Sequence, residues 1–378
     1  MRVGLWLIRL FGIGVLASLV LVGLMIGASG EVLGSEGGQP VFVTFPTITP
    51  ALPASPTPLP TPTPQPVMSP VIDLDIEGMY LGVYLPEMPG PMESLLEFER
   101  LIGRRVALVH WFQAWGSDDR DFKKEVLQSL YEYGVIAVIS WEPWERTKDP
   151  YLRLHQPEYR LSRIAEGEFD AYIREWARDS KDFGGLVLIR LAHEMNGRWY
   201  PWSINRNDNT KEDFVLAWRH IHDIFQEEGV TNVQWVWNPN WNNEWTASKV
   251  REAYPGDEYV DWLGITIFNW GINSVRNRWD SLDDVLGWQY NFAIEYAKPI
   301  IIAELASDEA GGNKGQWILD TFQSLKTNYP EVRAAVWFNA ATARYAGFIS
   351  WSVNSSPEAL EAFREAVKDP YVLGPRRK

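Results

Sequence analysis

The sequence contains no cysteine among its 378 residues, which excludes disulfide bonds and thiolate metal sites. A folded domain of this chain must therefore rely on its core alone. Clustered lysine and arginine are also missing, and the formal net charge is -14. Because a nucleic-acid partner requires a basic surface, we expect no nucleic-acid binding.

The sequence has an incomplete metal-binding motif and few histidines. His193-Glu194 begins like the zinc-protease motif His-Glu-x-x-His, but Gly197 stands where the second histidine would be. The chain has 5 histidines, and of these only His110 and His193 fall near predicted strand ends. A metal-dependent hydrolase is therefore the weakest alternative, and we expect neither a metal nor another cofactor.

The composition is that of a globular protein, with 46% apolar and 22% charged residues. Residues 1–30 contain two arginines, an apolar run over 10–26 and small residues at the end, which is typical of a secretion signal, either cleaved or kept as a membrane anchor. Proline and threonine dominate residues 31–70 and predict an extended linker. We expect the folded domain to span 71–378 and to act as a monomer, secreted or held at the cell surface.

Short apolar runs alternate with helical patterns from residue 79 onward, which indicates repeated strand-helix units and a parallel sheet. Eight strands are predicted, at 79–85, 105–111, 135–141, 186–193, 233–238, 260–268, 299–304 and 332–338. Predicted helices lie between them at 94–103, 121–133, 168–180, 212–228, a short one near 247–253, 282–297, 314–327 and 357–367. Eight units favour an α/β fold of the (β/α)8 TIM-barrel type. An open doubly wound sheet is the alternative, but no Gly-x-Gly-x-x-Gly turn follows the first strand.

A barrel of this kind builds its active site at the carboxyl ends of the strands. The residues predicted there are rich in carboxylates, aromatics and amides: His110, Trp111, Trp141, Glu142, His193, Glu194, Asn238, Phe268, Asn269, Glu304, Trp337, Phe338 and Asn339. Glu194 follows the fourth strand and Glu304 ends the seventh, so closure of the barrel would bring both to one cleft. Two carboxylates beside tryptophan fit glycosidic bond cleavage, because flat aromatic faces suit sugar rings. Glu142 has the same placement on the third strand and is a further candidate for substrate binding.

The stretch RLAHEMNGRWYPW from Arg190, together with PIIIAELAS from Pro299, resembles glycoside hydrolase family 26. The similarity covers most of 75–370, including EYVDWLGITIFNWG and AAVWFNA. Members of that family are retaining, endo-acting enzymes on a barrel fold, and most are β-1,4-mannanases. The resemblance implies a retaining endo-β-glycanase whose polysaccharide substrate is β-1,4-mannan or glucomannan.

The resemblance also implies roles for individual residues. Glu194 would be the general acid/base and Glu304 the nucleophile, so Glu194 must carry a proton and Glu304 must be ionised near neutral pH. Retention further requires the two carboxyl groups to lie about 5 to 5.5 Å apart. Arg190 is expected to orient the carboxylates from beneath. The expected substrate-binding residues are His110, Trp141, His193, Trp199, Asn238, Phe268 and Trp337.

One position departs from the family pattern. The sixth strand of family mannanases usually ends in a tyrosine whose hydroxyl reaches the nucleophile, and the equivalent here is Phe268. Either Asn269 or a neighbouring tyrosine replaces that donor, or activity is reduced. Two alternatives to a mannanase stay open at this point: a β-1,3-1,4-glucanase of the same family, and a barrel that binds polysaccharide without cleaving it.

Overall fold

Eight parallel strands close into a barrel in this computed structural model, which describes residues 69–116, 119–240, 250–274, 277–344 and 347–378. Each strand pairs with its neighbours in chain order, and the first pairs with the eighth. The predicted signal and all but the end of the predicted linker lie outside the described residues. The strands are β1 (Met79–Tyr84), β2 (Leu108–Ala114), β3 (Ile136–Glu142), β4 (Val187–Leu191), β5 (Val233–Trp237), β6 (Trp262–Asn269), β7 (Ile300–Ser307) and β8 (Val332–Phe338). The predicted TIM barrel is confirmed, and the open sheet is excluded.

Helices surround the barrel and pack their apolar faces on it. They are α1 (Met92–Ile102), α2 (Lys124–Tyr133), α3 (Leu161–Ala165), α4 (Asp170–Phe183), α5 (Lys211–Glu227), α6 (Leu282–Ala293), α7 (Lys314–Asn328) and α8 (Pro357–Ala366). Most of the short helix predicted near 247–253 lies outside the described residues. A small hairpin, β9 (Ala341–Arg344) and β10 (Gly347–Ser350), follows the barrel, and β11 (Val372–Leu373) adds to β1.

The chain marks its helix ends with the expected residues. Thr210 and Ser281 each close a capping box at the start of α5 and α6, accepting from the backbone N–H three residues later. Helices α1, α2 and α4 end at glycines with left-handed backbone. These local signals explain why the predicted helix positions agree closely with the structure.

Side chains of the barrel strands alternate between two environments. One set points into the barrel and forms an inner core: Tyr80, Leu108, Ile136, Val138, Leu188, Val236, Trp262, Ile301, Ala334 and Val336. The other set, which includes Trp111, Trp141, Trp237 and Trp337, belongs to the core shared with the helices. Because both faces are buried, the strands read as nearly continuous apolar runs. Only the inward set can continue upward into a cleft at the rim.

The two ends of the described domain meet at its surface. Ser69 and Lys378 exchange two backbone hydrogen bonds, at 2.9 and 3.0 Å, and Pro70 forms a bridge with Arg377. Residues 69 and 70, just before the predicted boundary at residue 71, are therefore paired with the end of the sequence. Over the ranges that the structure describes, no helix is both long and apolar enough to cross a membrane.

Candidate active site

A fully buried arginine lies at the centre of the barrel rim. Nη1 of Arg190, on β4, donates to Oε1 of Glu304 at 2.7 Å and to Oγ of Ser140 at 3.0 Å. Nε donates to Oδ1 of Asn238 at 2.8 Å, and Nη2 donates to Oγ1 of Thr266 at 3.1 Å. The four acceptors come from β3, β6, β7 and the end of β5, so a single guanidinium connects half of the barrel. Arg190 therefore lies where it can orient the carboxylate of Glu304, as the sequence predicts.

Glu304 reaches the cleft because β7 contains a bulge. Ile302 pairs with Ile265 on β6, yet the next pair along β6 is Thr266 with Glu304, so Ala303 is extra. Strict alternation from the inward-facing Ile301 would put Ala303 on the inner face and turn Glu304 toward the helices. The bulge reverses that order and aims the carboxylate inward, a use of bulges that is common near active sites.

The pKa of Glu304 reflects opposing influences. Burial raises this pKa, the guanidinium of Arg190 lowers it, and the nearby charge of Glu194 raises it again, with a net increase. Burial thus works against the ionised Glu304 that its predicted role requires, and the charge of Arg190 opposes that effect in part, so the ionised state stays a prediction.

Glu194 occupies a turn rather than a strand end. Strand β4 stops at Leu191, and both Ala192 and Glu194 have positive φ, at 41° and 54°. Such backbone costs a non-glycine residue on the order of 1 kcal/mol and persists where the surroundings enforce it. Here the N–H of Glu194 donates to the carbonyl of Asn238 at 2.7 Å. The turn is thus fixed by the neighbouring strand and holds the carboxylate at the rim.

Neutral donors hold the carboxylate of Glu194. Nε1 of Trp199 donates to Oε2 at 2.8 Å, and Nδ2 of Asn240 donates to Oε1 at 3.1 Å. Asn240 is in turn fixed by Asn196, whose amide makes two hydrogen bonds to its backbone. The predicted pair of carboxylates therefore shares one rim but has different partners, a guanidinium for Glu304 and an indole and an amide for Glu194.

The aromatic residues after the His-Glu pair support it. Tyr200 hydroxyl lies 3.1 Å from Nε2 of His193, and Nε1 of Trp202 donates to the carbonyl of His193 at 2.8 Å. The rings of Tyr200 and Trp202 stack, with centroids 4.2 Å apart. Trp199 is the exposed member of the group, with 37% of its surface accessible. Trp199 therefore lies beside Glu194 at the rim, and its predicted contact with substrate stays a prediction, whereas Tyr200 and Trp202 fix the turn.

The two predicted histidines are buried and neutral. Nε2 of His110 lies 2.8 Å from Oγ of Ser140, and the ring of Phe112 packs between those of His110 and His193. Burial and the charge of Arg190 lower the pKa of both imidazoles well below the usual range. Within the described part of the chain, neither Nδ1 atom has a hydrogen-bond partner. The site thus keeps two imidazoles free of charge beside the carboxylates.

Two predicted substrate-binding tryptophans lie elsewhere. Trp141 is fully buried against α4, where its ring stacks on Trp176 and its Nε1 donates to Tyr172 at 3.1 Å. Trp337 packs against Phe363 of α8 and donates to the carbonyl of Trp351. The predictions for Trp141 and Trp337 are therefore wrong. Both residues belong to the outward-facing set of their strands, so their side chains point away from the rim.

Asn238 also needs correction in its role, whereas Phe268 lies at the rim and its predicted contact with substrate stays a prediction. Both polar groups of Asn238 are engaged within the protein, because Oδ1 accepts from Arg190 and Nδ2 donates to the carbonyl of Pro239. Asn238 therefore holds the arginine rather than a sugar. Phe268 is half-buried and packs on Phe338 and Trp351 at the rim.

The donor missing at position 268 is replaced by Arg190. Asn269 donates to Ser307 and accepts from two backbone N–H groups, so it cannot serve Glu304. Over the described residues, the side-chain donor to Glu304 is the guanidinium at 2.7 Å. Compensation by Asn269 is thus wrong, no tyrosine among the described residues donates to Glu304, and the remaining alternative, reduced activity, stays a prediction.

Several residues of the rim escaped sequence reasoning. They are Tyr84, Phe112, Ser140, Asn196, Tyr200, Asn240 and Thr266. Tyr84 and Phe112 each follow, by two positions, an inward-facing residue of the same strand, so strand alternation could have identified them. Asn240 lies beyond the predicted strand, and no sequence signal marks it. Within the ranges described, no three histidine or acidic residues gather in a group that could hold a metal ion.

Comparisons with known proteins agree with this site. The model of the family described as Glycosyl hydrolase family 26 matches residues 154–350. The chain is 40% identical over 293 residues to endoglucanase H of Acetivibrio thermocellus, covering 77% of this chain and 30% of that protein. It is 26% identical over 195 residues to mannan endo-1,4-beta-mannosidase A and B of Caldalkalibacillus mannanilyticus, covering 50% of this chain and 32% of that protein. The chain thus spans about a third of the length of these two curated relatives.

A solved structure supports the fold. The catalytic domain of the GH26 endo-beta-1,4-mannanase of Bacillus sp. JAMB-750 superposes with a TM-score of 0.59 at 17% identity, covering 79% of this chain and 87% of that chain. The family model matches more than half of the 378 residues and includes both rim carboxylates. The protein belongs to glycosyl hydrolase family 26.

Proposed function

We propose that this chain is a retaining endo-β-glycanase that cleaves a polysaccharide by double displacement. The main support is that two carboxylates on one rim have different hydrogen-bond partners. Glu304 faces a buried guanidinium at 2.7 Å, whereas Glu194 accepts from an indole and an amide. Glu304 therefore has a cationic partner that opposes the effect of its burial, whereas the partners of Glu194 are neutral, and a reaction in which two carboxylates take different roles needs such unequal surroundings.

The first step transfers the sugar to the protein. The carboxylate of Glu304 attacks the anomeric carbon while the bond to the leaving oxygen breaks and Glu194 gives that oxygen its proton. In the second step, Glu194 takes a proton from water, the water oxygen attacks the anomeric carbon, and the carboxylate of Glu304 leaves. Two inversions restore the β configuration.

Two polymers are candidates for the substrate. The family resemblance and the relatives named as mannosidases support β-1,4-mannan or glucomannan. A β-glucan is the second candidate, because the relative named endoglucanase H matches at higher identity and over more of this chain. Phe268, where family mannanases usually have tyrosine, agrees with the second candidate.

Release of reducing ends tests the proposal. The purified chain is incubated separately with galactomannan, glucomannan and mixed-linkage β-glucan, alongside Glu304→Ala and the control Glu125→Ala. Glu125 is exposed on the outer helix α2. We expect hydrolysis of at least one polymer, its loss in Glu304→Ala, and unchanged rates in the control. Absence of hydrolysis on all three, with polymer still retarding the protein in an affinity gel, would replace this proposal with the binding-only alternative.

We also propose that the domain acts outside the cytoplasm, either released or tethered through residues 1–30. The support is the apolar run over 10–26 and the proline- and threonine-rich segment after it. Fractionation of producing cells, with determination of the N-terminal residue of the exported protein, distinguishes a cleaved signal from a retained anchor. Recovery of the whole chain in the cytoplasm would contradict the proposal.

A further inference from the structure

A polar cleft of about 290 Å³ lies on the β1–β3 side of the barrel rim. Its walls are aromatic and its floor carries charge: the lining residues are Tyr84, Pro86, Met88, Phe112, Glu142, Trp144, Arg146, Arg153 and Tyr200. Tyr200 connects it to the turn that carries Glu194, through its hydrogen bond to His193. The reaction proposed above assigns no role to this cleft.

Glu142, at the end of β3, has one engaged and one free oxygen. Its Oε2 accepts from Nε1 of Trp144 at 3.0 Å and from Nη2 of Arg146 at 3.2 Å. In the part of the chain that the structure describes, no donor reaches Oε1. The residue is only 3% exposed, so bulk water cannot fully solvate that oxygen. Oε1 is not among the fully buried side-chain atoms that lack a partner, so it keeps access to the cleft that Glu142 lines, and a ligand hydroxyl there would supply the missing donor.

Arg146 can donate hydrogen bonds to the same sugar from the mouth of the cleft. Its guanidinium uses one N–H on Glu142 and is 39% exposed, which leaves donors available at the cleft mouth. A sugar hydroxyl donates and accepts at once, so one hydroxyl pair can give a proton to Oε1 and accept from Arg146. The rings of Tyr84 and Tyr200 provide flat apolar faces for the carbon side of the same sugar.

We propose that Glu142 and Arg146 form a sugar-binding subsite next to the reaction centre, in which Oε1 of Glu142 accepts from hydroxyls of a neutral pyranose unit of the polymer. The inference rests on the proposed function and names one of its specificity contacts.

Steady-state kinetics of the full chain tests the subsite, with whichever of the three polymers the unmodified protein cleaves. Glu142→Gln keeps the side-chain shape but weakens both acceptors. We expect KM to rise about tenfold with kcat changed less than about threefold, because the contact binds the ground and transition states alike. Arg146→Met should raise KM by a smaller factor. Glu145→Gln is the matched control, since Glu145 is exposed on the same loop, and it should leave KM unchanged.

A purely structural role makes a different prediction. If Glu142 only anchors the loop through Trp144 and Arg146, Glu142→Gln and Arg146→Met would both lower the melting temperature and leave KM at the unmodified value. That result would overturn the proposal. If Glu142→Gln does not fold, as judged by circular dichroism, Arg146→Met decides alone: a raised KM supports the subsite and an unchanged KM overturns it.

Affinity gels separate failure of the subsite from failure of the proposed function. If the unmodified chain binds glucomannan or β-glucan but cleaves neither, weaker retardation of Glu142→Gln still supports the subsite, whereas equal retardation overturns it. If the unmodified chain cleaves polymer and Glu142→Gln has the same KM, the subsite fails and the proposed function stands.

Discussion

Nη1 of Arg190 donates to Oε1 of Glu304 at 2.7 Å from a fully buried position below the rim. The pair joins β4 to β7 and is the one place in the described site where a full positive charge meets a proposed catalytic carboxylate. Taking both groups out of water is costly, and the pair is stable because three further acceptors satisfy the guanidinium. The arrangement therefore controls both the orientation and the charge of Glu304.

Replacing Arg190 with lysine should impair catalysis more than folding. Lysine keeps the charge but cannot reach all four acceptors, so we expect kcat/KM to fall by about 100-fold or more. Because Arg190 lowers the pKa of Glu304, loosening the contact raises that pKa, and the acid limb of the pH profile moves to higher pH. Rates from pH 4 to 9 measure the shift.

A matched control is Arg178→Lys, because Arg178 pairs with Glu228 on the exposed surface of α4. This variant should keep the profile of the unmodified protein. Arg190→Met, which leaves Glu304 buried and unpaired, should reduce the free energy of unfolding by about 3 to 5 kcal/mol. An acid limb at the same pH in Arg190→Lys would mean that Arg190 does not set the charge of Glu304.

The proposed division of labour between the carboxylates predicts a leaving-group effect. Glu194→Ala removes the proton donor but not the nucleophile, so hydrolysis of polymer should fall by at least about 100-fold. An aryl glycoside with an acidic phenol needs no proton to leave and should still form the covalent intermediate. Rapid-quench kinetics with that substrate would show a burst of phenol followed by slow turnover.

Proton NMR of early products provides the stereochemical check. The unmodified chain should release the β anomer first, with the α anomer appearing only by mutarotation. Initial release of the α anomer would mean inversion, in which case Glu304 acts as a base toward water and not as a nucleophile.

Gly264 on β6 provides space for Asn238. A Cβ at Gly264 would lie 2.4 Å from the Cβ of Asn238, so alanine there must displace the side chain that holds Nε of Arg190. We expect Gly264→Ala to lose about 1 to 3 kcal/mol of stability and a larger share of activity. Urea unfolding and polymer hydrolysis measure the two effects.

Gly287→Ala is the corresponding control. Gly287 lies inside α6, and a Cβ there would meet the Tyr329 hydroxyl at an ordinary 3.5 Å. Because alanine favours helix, this variant should gain about 0.5 to 1 kcal/mol and keep full activity. If the two variants had the same stability and activity, a side chain at position 264 would not disturb Asn238.

The buried Lys314 should make the free energy of unfolding of the protein depend on pH. Its buried Nζ donates to the carbonyls of Ser350 and Ser352 and to the hydroxyl of Ser355, and burial lowers its pKa to about 8 from 10.5. Between these values the unfolded state binds more protons, so this group makes the free energy of unfolding rise with pH. The slope is at most about 1.4 kcal/mol per pH unit.

Comparison with Lys314→Met isolates this contribution. Urea unfolding at pH 7.5, 8.5 and 9.5 should show the advantage of the unmodified chain growing over the series. A constant difference between the two proteins would show that Lys314 stays protonated throughout.

The sequence was sufficient for the barrel because each strand is a short apolar run and each helix has recognisable ends. It also located both carboxylates, since Glu194 and Glu304 stand directly after such runs. It failed where side-chain direction matters: Trp141 and Trp337 were assigned to the cleft although alternation along β3 and β8 turns them outward. Alternation alone would not have predicted that the side chain of Glu304 points inward. The bulge at Ala303 depends on pairing with β6, and no residue pattern in the sequence indicates it.

The outward-facing indoles have a spectroscopic consequence. Ten tryptophans are among the largest fully buried side chains, whereas Trp199 beside Glu194 is 37% exposed. A water-soluble quencher of fluorescence should therefore reach Trp199 before those ten. A bound polysaccharide would shield Trp199, so part of the quenchable emission would report on the rim.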